Sequence, residues 1–381
     1  MTKGLAQNGL TLLVDGKNAF PEILRCIENA RKSITINMFI WRDDKIGNHM
    51  AQAVLDAAER GVEVFISADR YGVILEKSEE SKKSFFHKKQ SFSERLKIKA
   101  LTTIYPMKGA PKRAKDERSK LYEKILSHPK ITLETDVFKA DHSKYYLIDG
   151  EVLFVGGINI EDKENGRDMQ GREYQDYMVK LLGKTYVAAF LAKMERGEDV
   201  ARSEGYFLGV NVKRGKLRRF EMERLYLTMI DRAREELHIT MAYFSPLKRF
   251  VRAIVQAQKR GVNVVITIPQ TANYQSDTNL KTVRKLMKAT GDSITLYLSP
   301  KMVHTKLLIN DEWLSIGSTN ITKKAFKQLS ELNLFVKNDE GEFCRSVMES
   351  VEEHRALCRK ISTYKEIKYN KVKAFFEGLL V

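Results

Sequence analysis

HSKYYLIDGEVLFVGGIN, residues 142–159, is echoed by HTKLLINDEWLSIGSTN, residues 304–320. Both begin His-x-Lys-x4-Asp, and both end Gly-(Gly/Ser)-x-Asn. One histidine on a core strand needs no chemistry to explain it. Two copies of the series in a single chain do, and the rest of the sequence is best read outward from them.

The surroundings repeat too. IENARKSITINMFI (27–40) aligns with IDRAREELHITMAY (230–243), and AAERGVEVFISAD (57–69) with AQKRGVNVVITIP (257–269). Arg60-Gly61 and Arg260-Gly261 mark a helix-to-strand turn in each copy, where glycine suits the left-handed position past a helix end. Each motif reads as a strand pair, turning at Asp149-Gly150 in the first copy and at Asn310-Asp311 in the second. Asp149 and Asp311 therefore read as structural. Strands alternating with helices, written twice, predict an α/β fold of two similar halves, residues 1–200 and 201–381. A pseudo-two-fold axis would place the active site between them.

Composition bounds the partners. The 381 residues carry a net charge of +17, from 66 Lys and Arg against 49 Asp and Glu, so an anionic partner is expected. Cys26, Cys344 and Cys358 form no CxxC pair, which suits a reducing compartment and excludes a disulfide scaffold. No apolar run reaches the roughly 20 residues of a membrane-spanning helix. The expected location is cytoplasmic, peripheral on the inner face of the cell membrane.

From Gly61 to His142 is 81 residues, but from Gly261 to His304 only 43, so the first half carries an insertion. Residues 77–124 hold 15 Lys and Arg against six Asp and Glu, interleaved with Phe85, Phe86, Phe92, Leu96, Ile98, Leu101, Ile104, Tyr105 and Met107. That mixture fits an anionic membrane surface, single-stranded nucleic acid, or a helical hairpin packing on its own domain.

Period-two alternation puts His142 with Lys144, and His304 with Lys306, on one strand face. Converging, the two sets suit a phosphodiester. Lys144, Lys306, Asn159 and Asn320, with Ser318 and Gly157 beside them, would hold phosphate oxygens. One imidazole would attack phosphorus and the other would move protons. Each histidine needs a carboxylate on its other ring nitrogen. Asp176 lies 34 residues past His142, and Glu331 lies 27 past His304. The lysines supply the positive charge, so no metal or cofactor is expected.

These paired motifs resemble the phospholipase D superfamily. LLVDGKNAFPEIL (12–24), ITINMFIWRDDKIG (34–47), AAERGVEVFISADRYG (57–72), MAYFSP (241–246) and 303–322 resemble bacterial cardiolipin synthases, specifically those without transmembrane helices. The resemblance implies transfer of a phosphatidyl group from one phosphatidylglycerol to another through a phosphohistidine. It implies His142 as nucleophile and His304 as general acid/base. Related enzymes carry tryptophan where this chain has Tyr174, and an aromatic lining role is expected to survive. Hydrolysis, another alcohol acceptor, and a nuclease acting on DNA or RNA are the competing readings. Nucleic acid is the less favoured partner.

Overall fold

A computed structural model describes residues 9–78, 84–86, 90–105, 120–135, 137–214 and 217–379. Its first half builds a seven-stranded sheet. In spatial order the strands are Leu10–Val14, Tyr177–Leu182, Val152–Gly156, Tyr145–Ile148, Ser33–Met38, Glu63–Ala68 and Ile131–Glu134. The second half builds a nine-stranded sheet. Its central strands are Glu331–Lys337, Trp313–Gly317, Lys306–Asn310, Glu236–Met241, Asn263–Pro269 and Thr295–Ser299. Six strands thus occupy the same order in both halves. The pairing senses match as well. Ser33–Met38 runs parallel to Glu63–Ala68 and antiparallel to Tyr145–Ile148, and Glu236–Met241 repeats both relations.

The repeated Arg-Gly pair has a physical cause. Gly61 and Gly261 adopt φ +95° and +92°, which a side chain would oppose. The Arg60 guanidinium donates to the carbonyls of Ile27 and Glu28, and Arg260 to those of Ile230 and Ala233. Each arginine ties the end of one helix to the end of the helix before it.

Both motif hairpins form, although the second is a residue shorter. Tyr145 pairs with Val155, ten residues on, whereas the equivalent Leu307 pairs with Ile316, nine on. The Asp149 carboxylate accepts from the backbone amides of Arg31, Lys32 and Ser33. Asp311 takes those of Arg234, Glu235 and Glu236. Each aspartate closes the chain entry to its half's central strand.

The two sheets pack face to face over a shared apolar layer that includes Leu153, Val179, Leu181, Val210, Leu314 and Leu334. Helices cover the outer faces, Asp15–Glu28 and Lys45–Glu59 on one sheet and Met222–Arg232 and Lys248–Lys259 on the other. The order is helices, sheet, sheet, helices. No described helix is long and apolar enough to cross a membrane.

In the inserted region the apolar residues divide between core and surface. Phe85 and Phe86 are buried core residues, Phe85 stacked on Trp41 and the remaining contacts with Trp41 and Tyr122 edge-on. Phe92 and Leu96 are exposed, on helix Phe92–Ile104, while Tyr105 is buried. Met107 lies outside the described residues.

Candidate active site

Lys306 begins a core strand and His304 sits just before it. Lys144 and His142 stand in the same relation to Tyr145–Ile148. All four side chains are buried or nearly so. Each lysine ammonium donates back to the carbonyl of its own histidine, Lys144 to His142 and Lys306 to His304. His142, His304, Asn159 and Asn320 line one cleft between the halves.

The carboxylates reach the histidines crosswise. His142 Nδ1 lies 3.1 Å from Glu331 Oε2, and His304 Nδ1 lies 2.8 Å from Asp176 Oδ2. Chain proximity pairs His142 with Asp176 and His304 with Glu331, and the structure exchanges them. The backbone explains why. His142 N donates to the carbonyl of Ser330, the residue before Glu331, and His304 N donates to that of Gln175, the residue before Asp176. Short bridges stitch the halves together at both places, Asp141 to Ser330 and Met302–Val303 to Tyr174–Gln175.

The two acids differ in state. Burial pushes the Glu331 carboxyl up to about 8, only partly opposed by the Lys144 charge and a hydrogen bond from Ser318. Its Oε1 has no hydrogen-bond partner. Burial also acts on Asp176, but the Lys306 ammonium, 3.7 Å away, and the His304 hydrogen bond outweigh it. Asp176 stays below the usual carboxylate range and remains ionised.

Burial, then the charges of Lys144 and Lys306, holds His142 well below its ordinary value. Burial and Lys306 lower His304 less, to about 4, because Asp176 supports its cation. Both imidazoles are therefore neutral in the free enzyme, and His304 is the more readily protonated. Burial and the Lys306 charge also bring Lys144 down to about 7. An anion entering between the lysines would relieve that repulsion and raise all these groups.

Two residues expected to bind phosphate serve the acids instead. The Ser318 hydroxyl donates to Glu331 Oε2 and is fully buried. Gly157 abuts the Asp176 carboxylate. Asn159 and Asn320 do face the cleft. The Asn159 side-chain oxygen has no hydrogen-bond partner, whereas that of Asn320 accepts from Tyr243 N. Tyr174 lies beside His304, with ring centroids 6.2 Å apart.

Sequence reasoning missed Lys163 and Lys324, which also line the cleft. The signal was present, because each stands four residues after its motif asparagine. It missed Glu164 as well, whose Oε1 lies 3.9 Å from His304 Nδ1. Burial, reinforced by Glu161 and Asp176, raises the Glu164 carboxyl far above normal. Glu164, Asp176 and His304 place ligand-type atoms within 4.8 Å of one another. The Lys306 ammonium already supplies a positive charge at Asp176, which disfavours a cation there.

Comparison with known proteins agrees with this geometry. The family described as "Cardiolipin synthase, PLD-like domain" matches residues 23–196 and 226–355. Cardiolipin synthase B of Escherichia coli strain K12 is 26% identical over 353 residues, spanning 86% of this chain and 76% of the relative. Cardiolipin synthase 2 of Staphylococcus epidermidis is 26% identical over 390 residues, 98% of this chain and 73% of the relative. The crystal structure of phosphatidylserine synthase from Haemophilus influenzae superposes with a TM-score of 0.68 at 11% identity, over 99% of this chain and 92% of that one, a likeness of fold. The chain belongs to the cardiolipin synthase PLD-like family and is a phosphatidyltransferase of the phospholipase D type.

Proposed function

From that membership we propose that this enzyme makes cardiolipin from two phosphatidylglycerols at the inner face of the cell membrane. The observation that carries the reading is the crossed site, in which two histidines of one cleft are each held by an acid from the other half and each backed by a buried lysine bonded to its own carbonyl. His142 Nε2 attacks phosphorus, its Nδ1–H donating to Glu331. The bond from phosphorus to the leaving glycerol breaks, and the glycerol oxygen takes a proton from His304. A terminal hydroxyl of the second phosphatidylglycerol then gives its proton back to His304 and attacks the phosphatidyl-His142. The phosphorus–nitrogen bond breaks, and the products are cardiolipin and free glycerol.

His304 must begin this cycle protonated. Ionised Asp176 favours that state, and the negative diester lying between Lys144 and Lys306 adds to it. The lysines and the side chains of Asn159 and Asn320 bear the charge that grows on the phosphoryl oxygens.

The test is a product assay. Purified protein is incubated with phosphatidylglycerol vesicles in EDTA, and the lipids are identified by mass spectrometry beside a His142→Ala control. Cardiolipin with glycerol, absent from the control, is the expected result. Phosphatidic acid alone would make water the acceptor. With no lipid product, single-stranded DNA becomes the next substrate to try.

A further inference from the structure

Two helices from opposite halves meet at the rim of the cleft, Phe92–Ile104 from the inserted region and Lys371–Leu379 from the second half. The first sends Leu101, and with it the following Tyr105, into the cleft wall. Tyr105 is held there by its ring contact with Tyr274 and by the Gln275 amide donating to its hydroxyl. Lys373 of the second helix also stands over that ring, 5.8 Å from the centroid. Tyr105 thus touches both the cleft and the second helix.

That surface is apolar where the helices face outward. Phe92 is 79% exposed, Leu96 60%, Val372 67%, Phe375 60% and Phe376 49%. Large exposed aromatics gathered on adjoining helices call for a partner. Among the described residues of the two helices, the exposed charges have a single sign, because both helices turn their acids inward. Glu94 is buried against Arg70, and Glu377 is buried with Thr278 N donating to it. What points to solvent is Arg95, Lys97 and Lys99 on one helix and Lys371 on the other, with Lys365 and Lys368 just before it. Glu366, the acid among them, is 3.6 Å from Arg359.

We propose that these two helices form one docking platform that seats the enzyme on an anionic phospholipid bilayer, with the cleft opening beside it. Phe92, Leu96, Phe375 and Phe376 enter the boundary between headgroups and acyl chains, and the lysines meet the phosphates. The charge pattern selects this occupant over a second copy of the chain, which would bring like charge against like. Phe85 and Phe86 take no part, since both are in the core. The proposal rests on the phospholipid reading of the site and adds where that substrate is met.

The test uses the full chain with Phe92→Ser/Leu96→Ser and Phe375→Ser/Phe376→Ser. Co-sedimentation is measured with phosphatidylglycerol vesicles and with phosphatidylcholine vesicles, at low and high salt. Turnover of a soluble chromogenic phosphodiester is followed in parallel. Each double variant should lose about tenfold in binding to anionic vesicles, with turnover of the soluble diester unchanged. Wild-type binding should fall with salt. Unchanged vesicle binding by both variants would overturn the platform and leave the transfer chemistry standing. So would equal binding of wild type to phosphatidylcholine, or displacement from vesicles by single-stranded DNA. Should a double variant also lose soluble turnover, Phe376→Trp decides. Quenching of the new indole by brominated lipid, above the signal of Trp41 and Trp313, supports the platform, and its absence overturns it.

Discussion

A methyl group on Gly157 would stand 2.3 Å from Asp176 Oδ2, closer than any real contact allows. The carboxylate cannot swing aside without loss, because it holds His304 and accepts the amide of Tyr177. In the other half the same position is Ser318, which bonds to the longer acid Glu331. The sizes are matched within each pair. Gly157→Ala should therefore displace Asp176, cutting kcat by about 100-fold, the lower end of what acid/base assistance contributes. Ser318→Ala, which only removes a hydrogen bond, should cost less. Steady-state kinetics on the two variants, with circular dichroism to confirm folding, checks the ranking, and equal losses would contradict it.

The acids themselves should respond unequally to amide substitution. Glu331 is neutral near pH 7, so Glu331→Gln keeps both shape and charge and should hold activity to within about tenfold. Asp176→Asn removes the charge that stabilises the His304 cation, and should cost about 100-fold or more. Matched kcat values for the two variants would show that both acids are ionised in the working enzyme.

His142→Ala should abolish turnover. His304→Ala should instead slow release, so that a phosphatidyl group accumulates on His142. Acid-quenched intact-mass measurement would detect the adduct, and an adduct in His142→Ala would reverse the two roles.

Anion affinity should depend on pH in a definite direction. Lys144 holds its proton below about 7 and sheds it above. Tungstate, as an inhibitor, should bind well at pH 6 and progressively more weakly as pH rises toward 9. Glu331, at about 8, ionises over the same range and weakens anion binding in the same direction, whereas neither histidine titrates there in the free enzyme, since both are held low. An inhibition constant flat across the range would mean that Lys144 stays charged throughout.

Asp149 should matter to stability more than to chemistry. Asp149→Ala leaves three amides without their acceptor and should cost about 1–2 kcal/mol, measured by urea unfolding. Its three amide hydrogen bonds outweigh the opposing effect of partial burial, holding its carboxyl below the normal value. The stabilisation is accordingly present above that normal value and lost as pH falls through the depressed one. The gap between wild type and variant should close in acid.

Much of this was legible in one dimension. The doubled order of elements, the Arg-Gly turns, the hairpins at Asp149 and Asp311 and the shared face of each His–Lys pair are local properties. Strand period, turn chemistry and helix ends act over a few residues, and each copy corroborated the other. Even Lys163 and Lys324 were readable as a repeated spacing from Asn159 and Asn320. Phe85 and Phe86 were harder, because an aromatic in a basic stretch looks the same whether it meets Trp41 or a lipid.

What only the tertiary structure decided was everything that crosses between the halves. Asp176 serves His304 and Glu331 serves His142 because the sheets pack face to face, bringing each histidine beside the strand that carries the other half's acid. Both acids are fully buried, and their charge states part because Lys306 lies beside Asp176, which spacing along a chain cannot specify. By itself the sequence determined which residues would meet. Packing determined how they paired, and the nearness of the Lys306 charge set which of two equally buried acids keeps its proton.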